Sequence, residues 1–235
     1  MVNDRNNQIS PIKTVIAVLL PLFELGLGSF FIERVPGQVL KATVSSGFSL
    51  IAFLIAIYLF KDLLVSEWHG YRKHIWRNLG LSLIGTILCF VILSGVRMLM
   101  SSMNLAAPAN GVDVLSIQTI QTQAVGLYAT IPVLLAPWTE ELVFRHAIFY
   151  QFKSKGKLIF WTLFIVQAVL FGLVHWFNFN GHVIQTIPYM AVGAWFGLIY
   201  VWGKNIWFNI FSHFFFDVIT PLAALALIVV TLITQ

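Results

Sequence analysis

The chain has 235 residues, of which 59% are hydrophobic and only 10% are charged, and its mean hydropathy is +0.87. This composition predicts an integral membrane protein and excludes an ordinary soluble enzyme. The net charge of +5 is explained by the side of the membrane on which the basic residues lie and by contact with anionic lipid headgroups. Nucleic acid is therefore not an expected partner, whereas the lipid bilayer is.

Apolar runs long enough to cross a hydrocarbon core of about 30 Å recur along the chain. We predict an all-α fold, a polytopic membrane helix bundle of seven to eight transmembrane helices, forming a single integral membrane domain over residues 1–235. The predicted segments are Thr14–Ile32, Ala42–Phe60, Leu79–Met100, Thr119–Phe144, Leu158–His175, Val183–Gly203, Ile206–Asp217 and Val218–Ile233. The last two are one broken span or two short helices, since Thr220-Pro221 disfavours helix continuation.

The positions of the basic residues predict the orientation. The first apolar run is too long for a signal peptide and has no small-residue cleavage site after it, so we expect a retained span. Alternating the spans puts ten of the fourteen basic residues on one side, which the positive-inside rule identifies as the cytoplasm. These ten are Arg5, Lys13, Lys61, Arg72, Lys73, Arg77, Lys153, Lys155, Lys157 and Lys204. We expect a multi-pass protein of a bacterial plasma membrane with a cytoplasmic N-terminus.

Several isolated polar or small residues favour structural roles. Cys89 is the single cysteine and is expected to pack inside the third span. Glu24 and Arg97 lie inside apolar spans, and we expect them to pair across the bundle. Gly193 and Gly197 are four residues apart and would permit close helix packing. Two histidines fall outside the motifs described next: His146 is expected at a cytoplasmic helix end and His182 in an exterior loop.

The first candidate motif contains two adjacent glutamates followed by an arginine. Glu141 and Arg145 are four residues apart, so on a helix they share a face and can pair. Glu140 projects about 100° away from Glu141 and is left available as a general base. Solvated charges at a cytoplasmic helix end would give the same pattern, so the motif alone does not decide between these interpretations.

Two further motifs carry histidines. Phe171 and His175 fall on one face near the end of an apolar span, where a lone histidine is more often an interfacial residue than a catalyst. His213 and Asp217 are also four residues apart, on a helix rich in phenylalanine. Lipid cannot satisfy both polar groups, so they need partners inside the bundle. Convergence of the three motifs is the simplest solution.

Together, these motifs have the form Glu-Glu-x-x-x-Arg, Phe-x-x-x-His and His-x-x-x-Asp, in that order within about residues 132–220. The pattern resembles the CPBP family, which comprises CAAX proteases and bacteriocin-processing intramembrane peptidases and is also called the Abi family. The resemblance implies a helical fold with a water-filled catalytic cavity. Where this chain has Asp217, many relatives carry asparagine, and an ionised carboxylate cannot donate a hydrogen bond. Asp217 must be protonated, orient His213 or bind another group.

The resemblance also implies roles for the individual residues. Glu140 would activate the attacking water and His175 would orient that water or donate to the substrate. His213 and Asp217 would occupy the oxyanion-stabilising positions. The supporting residues would be Glu141, Arg145 and Phe171. In the alternative, Glu140, His175 and His213, with or without Asp217, would hold a divalent metal such as zinc. We favour the metal-free glutamate mechanism, with no cofactor.

The substrate expected from the resemblance is a membrane-associated protein or a small secreted peptide. The biological role would be maturation of a bacteriocin or pheromone peptide, or self-immunity to a bacteriocin. A non-catalytic membrane interaction or immunity protein is the first alternative, and a small proton-coupled transporter is the second. The concentration of polar residues at one site favours a peptidase. The oligomeric state is not predicted.

Overall fold

The computed structural model describes residues 8–105, 130–179 and 181–234, and within these ranges the regular secondary structure is entirely helical. The all-α prediction is confirmed. The α-helices are α1 (Pro11–Pro21), α2 (Gly28–Ile32), α3 (Gln38–Arg72), α4 (Ile75–Ser102), α5 (Ile131–Glu140), α6 (Lys157–Leu173), α7 (Ile187–Gly203) and α8 (Ile206–Thr234). Two π-helical segments cover Leu22–Leu27 and Glu141–Phe149, and short 3-10 turns cover Tyr150–Phe152, Trp176–Phe179 and Val183–Thr186.

Four helical segments are long and apolar enough to cross a membrane, judged by length and composition. They are Pro11–Ile32, Gln38–Arg72, Ile75–Ser102 and Val183–Gly203, and two shorter apolar helices cover Lys157–Leu173 and Ile206–Ile219. A helical, multi-pass membrane protein is therefore confirmed. The count of seven to eight spans stays a prediction, because much of the expected span Thr119–Phe144 lies outside the described residues.

The last two predicted segments form one helix. α8 runs from Ile206 to Thr234 with Pro221 inside it, so the predicted interruption of the helix at Thr220-Pro221 is wrong. Proline removes one backbone hydrogen bond, but a full break would expose several unpaired backbone groups to lipid. The helix therefore continues through the proline, as membrane helices often do.

α3 extends twelve residues beyond its predicted end at Phe60, to Arg72. The polar extension contacts the start of α8. Glu67 accepts a hydrogen bond from the backbone N–H of Ile206, the first residue of α8. The indole of Trp207 donates to the Leu64 carbonyl over 2.9 Å. The first contact satisfies a backbone N–H that a helix start leaves unpaired, and both contacts fix where α8 enters the bundle.

α6 and α7 pack closely through glycines, as Gly193 and Gly197 predict. A Cβ added at Gly193 would lie 3.0 Å from the Ala168 carbonyl oxygen. One added at Gly197 would lie 2.7 Å from Gln167 Nε2. Because a methyl group does not fit at either position, these glycines set the distance between the two helices.

α4 and α8 are joined by small hydroxyl residues. Ser212 Oγ donates to the Ser82 carbonyl over 2.9 Å, and Thr86 Oγ1 donates to the Ser212 carbonyl over 2.7 Å. Cys89, one turn further along α4, is a free thiol and fully buried, which confirms its packing role. It belongs to an apolar cluster with Leu93, Phe144, Phe171, Val192 and Phe196.

One expectation for isolated polar residues is wrong, and a second residue has a partner that the sequence did not predict. Glu24 does not pair with Arg97: it accepts a hydrogen bond from Ser49, whereas the Arg97 guanidinium donates to the Tyr189 hydroxyl over 3.5 Å. His146 lies in the last turn of its helical segment, as expected, but it is fully buried, with its Nδ1 2.7 Å from the Tyr200 hydroxyl. In both cases the partner depends on how each helix is rotated about its axis, and the sequence of one membrane span does not determine that rotation.

Candidate active site

The two adjacent glutamates lie where the helix changes its hydrogen-bonding pattern. α5 ends at Glu140, and the π-helical segment begins at Glu141 and ends at Phe149. A π-helical turn contains an extra residue and alters the direction in which its side chains project, and such turns are frequent at functional sites. Glu141 is fully buried, whereas 22% of the Glu140 side chain is exposed. The neighbouring carboxylates therefore have different environments.

Glu141 is the centre of a hydrogen-bond and ion-pair network. Its Oε2 lies 3.1 Å from Arg145 Nε, the pair expected from the four-residue spacing. The same oxygen accepts a hydrogen bond of 3.2 Å from Asn209 Nδ2. Its other oxygen, Oε1, lies 2.8 Å from His213 Nδ1. One buried carboxylate thus connects the π-helical segment to two residues of α8.

Arg145 is buried beneath aromatic rings. Its guanidinium carbon lies 4.0 Å from the ring centre of Phe171 and 5.2 Å from that of Phe196. Arginine stacks favourably on aromatic faces, which compensates in part for removing the charge from water. Pairing with Glu141 and these ring contacts hold the guanidinium beside the site.

His213 joins the two glutamates to Asp217. Its Nδ1 faces Glu141, while its Nε2 lies 4.0 Å from Glu140 Oε2 and 3.5 Å from Asp217 Oδ2. The imidazole stacks on Phe196, with ring centres 4.8 Å apart and planes 26° apart. Glu140 Oε2 is buried and has no hydrogen-bond partner within the described residues. Glu140, His213 and Asp217 therefore converge on one place.

His175 and His213 both contact the ring of Phe171. The Phe171 ring centre is 5.0 Å from the His175 ring and 5.8 Å from the His213 ring. His175 Nδ1 donates to the Phe171 carbonyl over 2.7 Å, and its ring stacks on Tyr189 at 4.4 Å. In the described part of the chain it makes no direct hydrogen bond to Glu140 or His213. The first and third motifs are thus in direct contact, and the second shares the Phe171 ring with them as a common neighbour.

Three residues at this site were not selected from the sequence. Asn209 lies four residues before His213 and eight before Asp217, so the spacing along α8 is a signal that could have been recognised. Besides Glu141, Asn209 Nδ2 also reaches the Phe196 carbonyl at 2.6 Å. Phe196 and Tyr189, the rings that stack on the two histidines, give no such signal in a chain that contains 21 phenylalanines and 6 tyrosines.

The donor set gives little support to a metal centre. Within the described ranges, no three His, Cys, Asp or Glu side chains are grouped as a metal ion would require. Nδ1 of His175 is bonded to a carbonyl and Nδ1 of His213 to a carboxylate. These bonds leave both Nε2 atoms available, as in metal-ligating histidines, so only the spacing of Glu140, His175 and His213 argues against a zinc ion.

The fold and this cluster define a polytopic helical membrane protein in which carboxyl groups and imidazoles meet inside the bundle. Residues 122–219 match the family described as "Type II CAAX prenyl endopeptidase Rce1-like". The match confirms the resemblance to the CPBP family over this segment, which includes all three motifs.

Two curated relatives are similar to part of the chain. One is the Bacillus subtilis (strain 168) protein named "Putative membrane peptidase YdiL", 33% identical over 91 residues, which are 39% of this chain and 34% of that protein. The other is an uncharacterized protein of Mycoplasma capricolum subsp. capricolum (strain California kid), 31% identical over 101 residues, or 43% of this chain and 28% of that protein. The chain thus spans about a third of the length of these relatives. No solved structure matches it significantly.

Proposed function

We propose that this protein is an intramembrane endopeptidase that hydrolyses a peptide bond with a water molecule activated by Glu140. The observation that carries the proposal is the position of Glu140 Oε2, which is buried, unpaired within the described residues and 4.0 Å from His213 Nε2. This gap is too long for a direct hydrogen bond and suits a water that contacts both atoms at about 2.8 Å. The family match over residues 122–219 supports the same reaction class.

Glu140 acts as the general base. Its carboxylate accepts a proton from the water, and the oxygen of that water attacks the carbonyl carbon of the scissile peptide bond. The same carboxyl group then gives the proton to the leaving nitrogen as the carbon–nitrogen bond breaks. Proton transfer by a positioned side chain contributes about 10²–10⁴-fold to such a rate.

His213 stabilises the negative charge that develops on the carbonyl oxygen. Its Nδ1–H is donated to Glu141, so a neutral ring would have only a lone pair at Nε2, and donation from Nε2 requires the imidazolium form. Glu141 at Nδ1 and Glu140 near Nε2 balance that positive charge. Asp217 provides the second polar group at the oxyanion position and acts as a donor when its carboxyl group carries a proton.

His175 orients the water. Because a carbonyl oxygen can only accept, the 2.7 Å contact with Phe171 assigns the proton of His175 to Nδ1. The Nε2 atom of the neutral ring is then an acceptor. The attacking water gives one proton to Glu140 and donates its other hydrogen to this Nε2 atom in a hydrogen bond. Stacking on Tyr189 and the contact with Phe171 hold the ring in place.

The proposed substrate is a membrane-associated protein or a small secreted peptide. We assign the protein to a bacterial plasma membrane with its N-terminus in the cytoplasm, and we place its role in maturation of a bacteriocin or pheromone peptide or in self-immunity to a bacteriocin. The basic residues of the sequence support the orientation. The two relatives come from bacteria, which supports the source.

The decisive experiment is cleavage of a panel of internally quenched peptides by the purified protein in lipid nanodiscs, followed by mass spectrometry of the products. Glu140→Gln is expected to lower kcat by about 10²–10⁴-fold with an unchanged melting temperature. The matched control is Glu33→Gln, since Glu33 is exposed just after α2 and its loss should change nothing. Cleavage by Glu140→Gln at the wild-type rate would overturn the mechanism and favour the non-catalytic alternative.

A further inference from the structure

Arg97 is an exposed cation in an apolar part of α4, and its contacts lead toward the proposed site. Its Nη2 lies 3.5 Å from the Tyr189 hydroxyl, and its guanidinium carbon lies 5.8 Å from the Tyr189 ring centre. Among the described residues, no carboxylate lies within 4.0 Å of it. Side chains on a helix tilt toward its N-terminus, so the Arg97 side chain leans back toward the level of Leu93. Leu93 packs in the apolar cluster beside the site.

Tyr189 connects this cation to His175. The Tyr189 and His175 rings stack with centres 4.4 Å apart and planes 18° apart. Phe179 contacts the same tyrosine at 5.7 Å. A group bound by the Arg97 guanidinium and the Tyr189 hydroxyl would therefore lie one aromatic ring away from the imidazole proposed to orient the attacking water.

The charges of the site make such a cation significant. The cluster itself offers a substrate carboxylate no free cation, because Arg145 is enclosed and paired with Glu141 and the His213 ring lies between Glu141 and Glu140. An exposed guanidinium beside the site would instead hold a negative group of the substrate away from the carboxyl groups.

We propose that Arg97 and the Tyr189 hydroxyl form a subsite that binds a carboxylate of the peptide substrate. This inference rests on the proposed peptidase function and adds a substrate class to it. Three residues of an extended peptide span about 10 Å, enough to reach from His175 past Tyr189 to Arg97. The carboxylate therefore belongs two or three residues from the scissile bond. It is supplied by an acidic side chain or by the C-terminus of the peptide.

The test uses three versions of a peptide that carries a carboxylate two or three residues from the cleaved bond. The first keeps both an acidic side chain and a free C-terminus, the second replaces the side chain by its amide, and the third has an amidated C-terminus. Losing the recognised carboxylate is expected to lower wild-type kcat/KM by about 10–100-fold, the usual range for a charge-assisted hydrogen bond, and mostly through KM. The version that loses activity identifies the source of the carboxylate.

The variants assign this preference to the subsite. Arg97→Gln is expected to abolish discrimination among the three peptides, and Arg97→Lys to keep part of it. Tyr189→Phe removes the hydroxyl but keeps the ring that stacks on His175. Arg34→Gln is the matched control, because Arg34 is exposed after α2 and bonds to the Phe30 carbonyl. If Arg97→Gln lowers kcat/KM by the same factor for all three peptides, the discrimination remains and the inference is overturned.

Two further measurements separate this inference from the proposed function and from lipid binding. Affinities of the three peptides for Glu140→Gln protein test the subsite without catalysis. If the three peptides bind with different affinities but wild type cleaves none of them, the subsite is supported and the peptidase function is overturned. If wild type cleaves all three peptides equally well, the peptidase function is supported and the subsite is overturned. The lipid test compares Arg97→Gln with wild type in anionic and in zwitterionic nanodiscs. If the variant lowers kcat/KM for every peptide alike in anionic nanodiscs and for none in zwitterionic ones, Arg97 binds a lipid headgroup and the inference is overturned.

Discussion

Glu141 Oε1 and His213 Nδ1 are 2.8 Å apart, although 72 residues separate them in the chain. This contact assigns the proton of the imidazole to Nδ1 and turns Nε2 toward Glu140 and Asp217. A carboxylate that fixes the orientation and tautomer of a histidine is a recurrent element of hydrolytic sites. The second glutamate of the pair is thus a positioning residue for the histidine, beyond its ion pair with Arg145.

The first prediction concerns this buried network. Glu141→Gln should lower the free energy of unfolding by about 3–5 kcal/mol, because it leaves the buried Arg145 guanidinium without a compensating charge. The measurement is thermal or denaturant unfolding of the purified protein in detergent. The double variant Glu141→Gln/Arg145→Met should lose less stability than the two single variants added together. Additive losses would show that the two side chains do not act as a pair.

A second prediction concerns the residue at the oxyanion position. Asp217→Asn should retain most of the peptidase activity, because the amide is of the same size and can always donate a hydrogen bond. Asp217→Leu removes the polar group and should lower kcat by about 10²-fold or more, the usual effect of losing one oxyanion donor. If Asp217→Asn is as inactive as Asp217→Leu in the quenched-peptide assay, the carboxyl group itself is required and the proposed role is incorrect.

The third prediction addresses metal dependence. Prolonged treatment with EDTA or phenanthroline should leave kcat and KM unchanged, because Glu140, His175 and His213 are not grouped as ligands. Adding zinc afterwards should not raise the rate. A known zinc peptidase assayed in parallel controls for complete chelation. Loss of activity with recovery on addition of zinc would establish the metal mechanism instead.

A fourth prediction tests how α6 and α7 pack. Gly197→Ala should destabilise the protein by about 1–3 kcal/mol, since the new Cβ would lie 2.7 Å from Gln167 Nε2 and 2.8 Å from Phe164 Cε2. The matched control is Gly80→Ala in α4, where a Cβ meets nothing within 4 Å and helix propensity improves. Melting temperatures in the same detergent provide the comparison. Equal shifts for the two variants would mean that close approach at Gly197 is unnecessary.

Local features of this protein follow from the sequence by itself. Hydropathy determines that the chain is a helical membrane protein, because the bilayer requires every backbone group to be paired within a segment. A four-residue spacing was enough to pair Glu141 with Arg145, because the helical repeat puts both on one face. The apolar surroundings of Cys89 likewise indicated a buried thiol.

Contacts between helices were decided by the tertiary structure. Glu24 bonds to Ser49 instead of Arg97, His146 is buried against Tyr200, and Asn209 joins the cluster around Glu141. Each of these contacts depends on the axial rotation and spacing of packed helices, which close contacts such as that at Gly197 determine. The residues that carry the proposed chemistry could be selected from the sequence, but their partners and tautomers depend on long-range packing.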